Sequence, residues 1–235
     1  MKTISIITDS LAMPRVEGKD VVYIHETWPK LLAQKIDNKN FTVAEFTERA
    51  RDTESLNTEQ IFVETIKFSN PAILILQIGI VDCAPRIISK FENKLLNKPF
   101  VPNKLRRIII NTRKKNRNKI LKKGSLKKVY VKPADFSRNM EGFIDKVKEC
   151  IPNIKIILIP ILGDYLFLEE KSLGYLQNIN LYNQIIKEIS EKKSCTYMIH
   201  LTELMNNNLF YSSDGYHLNA AGHEKIYHDI YNQIL

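Results

Sequence analysis

Glycine is scarce in this chain, eight in 235 residues. None of the eight builds a G-x-G-x-x-G turn or a P-loop, so no backbone cradle for phosphates is present and no nucleotide cofactor is expected. Cysteine is scarcer still: Cys83, Cys150 and Cys195 are odd in number and widely spaced, which excludes a disulfide framework and a cysteine zinc site. Reduced, mostly buried thiols are expected. Long hydrophobic runs are also missing. The longest, such as Ile73-Leu74-Ile75-Leu76 and Ile156-Ile157-Leu158-Ile159, fall far short of the roughly 18 residues of a membrane-spanning helix. The opening residues reach Asp9 after only a few apolar positions, too few for the apolar region of an export signal, and a cytoplasmic location is expected. What is present is a core: 44% hydrophobic and 26% charged residues exclude disordered and fibrous classes.

Acidic residues are absent from one long stretch. Residues 93–134 hold 15 Lys or Arg and no Asp or Glu, whereas the rest of the chain has 20 basic against 26 acidic residues. The overall charge of +9 therefore comes from one segment. Its densest parts, 104–107, 113–119 and 127–128, alternate with Ile108, Ile109, Ile110, Ile120 and Leu121, so one helical side can still pack. Two readings stay open: a solvated surface insertion, or a grip on an anionic substrate, a lipid surface or nucleic acid. Few aromatics besides Tyr130 interleave with the charges, which disfavours base stacking and hence nucleic acid.

Short apolar, β-branched runs at 3–8, 20–25, 72–78 and 154–161, with a weaker one at 196–199, read as strands. Near-continuous hydrophobicity suits strands covered on both faces, as in a parallel sheet. Between them, 58–68, 87–96, 136–150 and 173–193 read as helices; in the last, Tyr182, Ile185, Ile186 and Ile189 form one stripe. A closing amphipathic helix is expected over 220–235, with Ile226, Ile230 and Ile234 four apart. These alternations predict a three-layer α/β/α sandwich around a central, mostly parallel sheet, flavodoxin-like in kind. No repeat or linker divides it, so a single domain over 1–235 is expected, with a basic insertion at about 98–134.

In such sheets, residues just past the carboxyl ends of strands converge on one crevice. Thr8-Asp9-Ser10-Leu11 follows the first strand, Gly79-Ile80-Val81-Asp82 the central one, and Asp214-Gly215-Tyr216-His217 precedes the last helix. Serine, histidine and aspartate are the parts of an acyl-transfer site: the imidazole takes the serine proton, and the carboxylate fixes its tautomer. Asp214 and His217 are three apart, so one turn sets them side by side. Taken singly, Asp-Ser is also a common helix cap, and Asp-x-x-His a cap plus a surface histidine. Together, at opposite chain ends, they make a stronger pattern. The remaining histidines, His25, His200, His223 and His228, are less informative. His223 and His228 are five apart and do not share a face as zinc ligands would, so no metal is expected.

These blocks resemble those of the SGNH, or GDSL-type, hydrolase family, in order and over essentially the whole chain. The resemblance implies an SGNH-hydrolase-like fold, a nucleophilic Ser10, a base His217 oriented by Asp214, and an enzyme that hydrolyses or transfers ester-bound acyl groups. It depends on no cofactor. Two departures concern the oxyanion hole. The first block matches except for Thr8 in place of the family's glycine, but Val81 stands where the third block has asparagine, and an apolar side chain donates nothing. Ala50-Arg51-Asp52-Thr53 is the nearest match to the second block and puts Arg51 at its glycine. The Arg51 backbone N–H can still donate, and Arg51, Arg86 or Asn111 are candidates for the missing donor. Gly79, Asp82 and Arg86 are candidate oxyanion or substrate contacts. For the run Asp82-Cys83-Ala84-Pro85-Arg86, a capped loop with local pairing is the competing reading, and Cys83 has no histidine nearby in sequence to activate it.

The resemblance allows several acyl substrates. The absence of a long lipid-docking stripe and the basic segment favour an acylated, anionic carbohydrate, such as an O-acetylated bacterial surface polysaccharide or its precursor. The alternative, supported by Val81, is a catalytically silent module that holds an anionic glycan or nucleic acid through the basic segment. Nothing in these residues sets an oligomeric state.

Overall fold

The computed structural model describes residues 2–16, 20–36, 40–122, 128–205 and 207–234. Five strands, β1 (Lys2–Thr8), β2 (Phe41–Thr47), β3 (Ile73–Gln77), β4 (Lys155–Leu158) and β5 (Thr196–Met198), form one sheet in the order β2-β1-β3-β4-β5. Every pairing is parallel. The expected α/β/α sandwich is what the chain forms.

Eleven α-helices among the described residues flank or extend the sheet: α1 (Trp28–Ile36), α2 (Thr53–Leu56), α3 (Glu59–Phe62), α4 (Ile80–Cys83), α5 (Lys90–Leu96), α6 (Asn103–Lys115), α7 (Arg117–Leu121), α8 (Pro133–Cys150), α9 (Tyr165–Lys171), α10 (Tyr175–Lys192) and α11 (Ala220–Ile234). The two-residue period of a strand divides its side chains between two cores. Leu74 and Leu76 of β3 join Phe136 and Phe143 of α8 and Tyr182 and Ile186 of α10. Ile73 and Ile75 turn the other way, to Trp28 and Leu32 of α1 and Ile226 and Ile230 of α11. Burial on both faces explains why β3 is apolar from Ile73 to Leu76.

The expected strand at 20–25 does not form. Val22 makes a lone antiparallel bridge with Arg15, and Ile24–Glu26 is a 3-10 turn. Of this apolar run only Val22 is buried; Tyr23 and Ile24 face solvent. The true second strand, β2, is a sheet edge whose residues are at most half-buried, so Thr42, Glu45 and Thr47 interrupt it and it lacks the continuous apolar run that marks the inner strands. Within the basic segment, α6 and α7 form, while 123–127, including Lys127, and the expected helix end Leu235 lie outside the described residues.

The first connection of the sheet runs from β1 to one side, and the chain then returns to β3 on the other. Strand order reverses there, and a crevice opens at the carboxyl ends of β1 and β3. No described helix is long and apolar enough to cross a membrane.

Candidate active site

At the end of β1 the Asp9 N–H continues the ladder to the Gln77 carbonyl at 3.2 Å. The Asp9 carboxylate then accepts the Leu11 N–H at 2.9 Å and caps one 3-10 turn, Ser10–Ala12. Leu11 and Ala12 are buried and anchor that turn, while Ser10 stays half-exposed. Asp9 itself is wholly buried, which pushes its carboxyl up to about 7 against the opposing Leu11 N–H bond.

The partner loop is shaped around Asp214. Its Oδ1 accepts the backbone N–H groups of Tyr216 and His217 at 3.2 and 3.0 Å, a tight Asx turn. Gly215 sits at φ +84°, and a Cβ there would meet Phe167 Cδ1 at 2.4 Å, so only glycine suits the turn. His217 Nδ1 lies 2.7 Å from Asp214 Oδ2, and His217 Nε2 lies 3.0 Å from Ser10 Oγ. Burial pushes the Asp214 carboxyl up, but the His217 hydrogen bonds outweigh it and hold the group far below the usual carboxylate range. Asp214 is therefore ionised throughout the physiological range, and the imidazole N–H at Nδ1 points at a full charge.

A cation shares that carboxylate. Arg15 Nη1 donates to Asp214 Oδ2 at 2.8 Å, and Asp20 Oδ2 accepts the Ser213 N–H at 3.0 Å. The segment just after the serine turn is thus tied twice to the histidine loop. A cavity of about 310 Å³ opens beside Ser10 and His217, walled by Arg15, Val16, Arg49 and Tyr216. Arg49 is exposed and makes no ion pair among the described residues. Sequence reasoning did not single out Arg15 or Arg49; their only signal is position, five residues after Ser10 and two before Arg51.

The other candidates sit elsewhere. Asp82 is fully buried, and its Oδ1 accepts both the N–H and the hydroxyl of Thr53, at 2.9 and 2.6 Å. It steadies the second block and does not line the cavity beside Ser10. Arg86 turns back to the Val81 carbonyl at 3.0 Å and stacks 4.2 Å from the Tyr130 ring, the local pairing that competed with a substrate role. The buried Arg51 guanidinium reaches Glu48 with one nitrogen at 3.0 Å, while its Nε and Nη1 have no hydrogen-bond partner among the described residues. Asn111 is exposed on α6 and does not border the cavity. Gly79, at φ +131°, is buried where a Cβ would lie 2.6 Å from Ile161 Cδ1; it permits the turn from β3 into α4. Val81 packs into the core beside it. The backbone N–H groups of Ser10 and Arg51 have no acceptor among the described residues. No cluster of three His, Cys, Asp or Glu stands at metal-binding spacing among the described residues.

The profile of the GDSL-like lipase/acylhydrolase family matches residues 16–225. The chain belongs to that family. The match starts beyond Ser10. No curated protein matches the sequence. Solved structures show the shared fold. A lipase/acylhydrolase from Enterococcus faecalis superposes with a TM-score of 0.64 at 16% identity, covering 100% of this chain and 95% of that one. Axe2, an acetylxylan esterase from Geobacillus stearothermophilus, gives 0.62 at 13%, covering 99% and 94%. A psychrotrophic esterase, EstA from Pseudoalteromonas sp., gives 0.59 at 14%, covering 100% and 97%. This GDSL-like protein is thus an enzyme of the class that cleaves acyl esters.

Below the site, His223 of α11 accepts the Trp28 N–H at 3.2 Å and is fully buried. Burial, with the nearby His217 as a smaller cause, pushes its pKa down to about 3. The unfolded chain protonates it near 6.5. Stability from the neutral imidazole is full above that value and drains away as the pH falls towards 3, by up to about three orders of magnitude in the unfolding constant. Urea midpoints measured between pH 7 and 4 are expected to fall, and the fall should be shallower in His223→Phe. An equal slope in the variant would remove His223 from the acid sensitivity.

Proposed function

We propose that Ser10 is the nucleophile, His217 the general base and acid, and Asp214 the group that orients it. The chain of 2.7 and 3.0 Å contacts from Asp214 through His217 to Ser10 carries this reading. With Nδ1–H held by Asp214, Nε2 is bare and accepts the Ser10 proton as Oγ attacks the ester carbonyl. The tetrahedral oxyanion lies against the backbone N–H groups of Ser10 and Arg51. The carbon–oxygen bond of the ester then breaks, His217 returns the proton to the departing alcohol, and an acyl-Ser10 remains. Water or a sugar hydroxyl, deprotonated by the same imidazole, takes the acyl group and frees Ser10. Without an asparagine at Val81 the hole has one donor fewer, which costs about 10²–10³ in rate. Arg15 acts through Asp214 as a positioning residue, since it fixes the carboxylate oxygen that His217 uses.

The substrate in this reading is an O-acetylated, acidic carbohydrate of the kind found in bacterial surface polysaccharides or their precursors. Arg49 supports it, as a cation with no ion partner among the described residues on the wall of a small, open cavity. The acetylxylan esterase likeness supports the sugar. The chain is read as one domain with a basic insertion. A cytoplasmic setting suits the two exposed, unpaired thiols of Cys150 and Cys195, which stay reduced there.

The test is a comparison of acetyl esters of a uronic acid and of its neutral sugar. Arg49→Ala is expected to lower kcat/KM for the acidic ester by about fivefold, the scale of an exposed ion pair, and to leave the neutral ester unchanged. An equal loss on both would refute the choice of an acidic substrate.

A further inference from the structure

The basic segment is not absorbed by the ester chemistry. The chain leaves the carboxyl end of β3, runs outward along α5, turns at 97–102 and returns along α6. The hairpin is fastened at its base, where Arg113 holds Glu92 with two hydrogen bonds of 3.0 and 2.7 Å and reaches the Ile87 carbonyl. Arg117 of α7 adds a bond of 2.7 Å to Ser172. No buried residue lies in α5 or α6.

Its far end combines two features that seldom coincide on a solvated surface. Phe100 in the turn is 72% exposed, and Leu95 and Leu105, on the two helices beside it, are about half exposed at 47% and 49%. Phe91 and Ile108, one helical turn further down each arm, are exposed as well. Around them stand Lys94, Lys98, Lys104 and Arg107, none in an ion pair among the described residues, in a stretch without a single carboxylate. Exposed cations on a solvated face normally alternate with anions, because a single-sign field repels itself.

We propose that this hairpin tip docks on an anionic lipid bilayer, its apolar side chains entering the acyl boundary and its lysines meeting the headgroups. Both halves of the surface have a use there: apolar area and positive charge add in interfacial binding. A nucleic acid would reward the cations but leave Leu95, Leu105 and Ile108 idle. A second copy of the chain would bring like charges together. The hairpin springs from the same sheet edge as Ser10, so docking holds that edge near the membrane. The proposal is independent of which ester the enzyme cleaves.

The test is sedimentation of the full chain with vesicles of phosphatidylglycerol and phosphatidylcholine. Binding is expected on the mixed vesicles, weakening steeply with salt, and none on pure phosphatidylcholine. Phe100→Ser should lower partitioning about tenfold, and Lys98→Glu or Lys104→Glu about fivefold or more each. Turnover of a soluble ester should match wild type in all three, which certifies their folding. In Phe100→Trp, the added tryptophan should shift its emission to shorter wavelength with vesicles, since the native Trp28 is already buried. Failure of wild type to bind, tip variants that bind as wild type does, or salt-sensitive binding to homopolymeric RNA in place of vesicles would each overturn the proposal.

Discussion

Ser10→Ala is expected to lower p-nitrophenyl acetate turnover by about 10⁴-fold, the scale on which triad members act. The hydroxyl lies 3.0 Å from the bare nitrogen of His217, so alanine removes the bond-forming atom and little else. The turn should persist, because its cap is the Asp9 carboxylate and its anchors are Leu11 and Ala12. Folding of the variant is thus expected to equal wild type. A fluorophosphonate should add once, at Ser10, and not at all to the variant. Equal turnover by the two proteins would sink the assignment and favour the silent binding module to which Val81 points.

Asp214→Asn should cost nearly as much, about 10⁴ in kcat, for a different reason. All four acceptor positions of the carboxylate face donors: two backbone N–H groups on Oδ1, and His217 and Arg15 on Oδ2. An amide must aim its NH₂ at one of those pairs. Turned towards His217 and Arg15, it forces the proton of the imidazole onto Nε2, where the serine needs a bare nitrogen. Turned the other way, it breaks the Asx turn that carries His217. Rate and loop order should therefore fall together, with a thermal midpoint below wild type. An asparagine variant with intact kcat would show that the carboxylate charge is not used.

The inner strands and the main helices were legible because burial on two faces, or on one stripe, leaves a strong hydrophobic pattern. β1, β3, β4 and α8 stand within a few residues of where their sequences put them. The edge strand β2 and the apolar run around Val22 were not, since neither local pattern tells whether a neighbouring strand will be present to pair with. The three residues of the hydrogen-bonded relay were readable from chemistry plus order. Arg15 and Arg49 were not: an arginine's use depends on which loop it meets, and Arg15 meets one 199 positions away. Asp82 shows the converse, since the sequence beside a strand end does not tell whether a carboxylate borders a cavity or, as here, holds a buried threonine.

The contact between positions 10 and 217 also has a consequence in time. In the proposed mechanism the nucleophile is synthesised 207 residues ahead of its base. A product truncated between the two positions carries the serine without the imidazole that this mechanism needs to activate it.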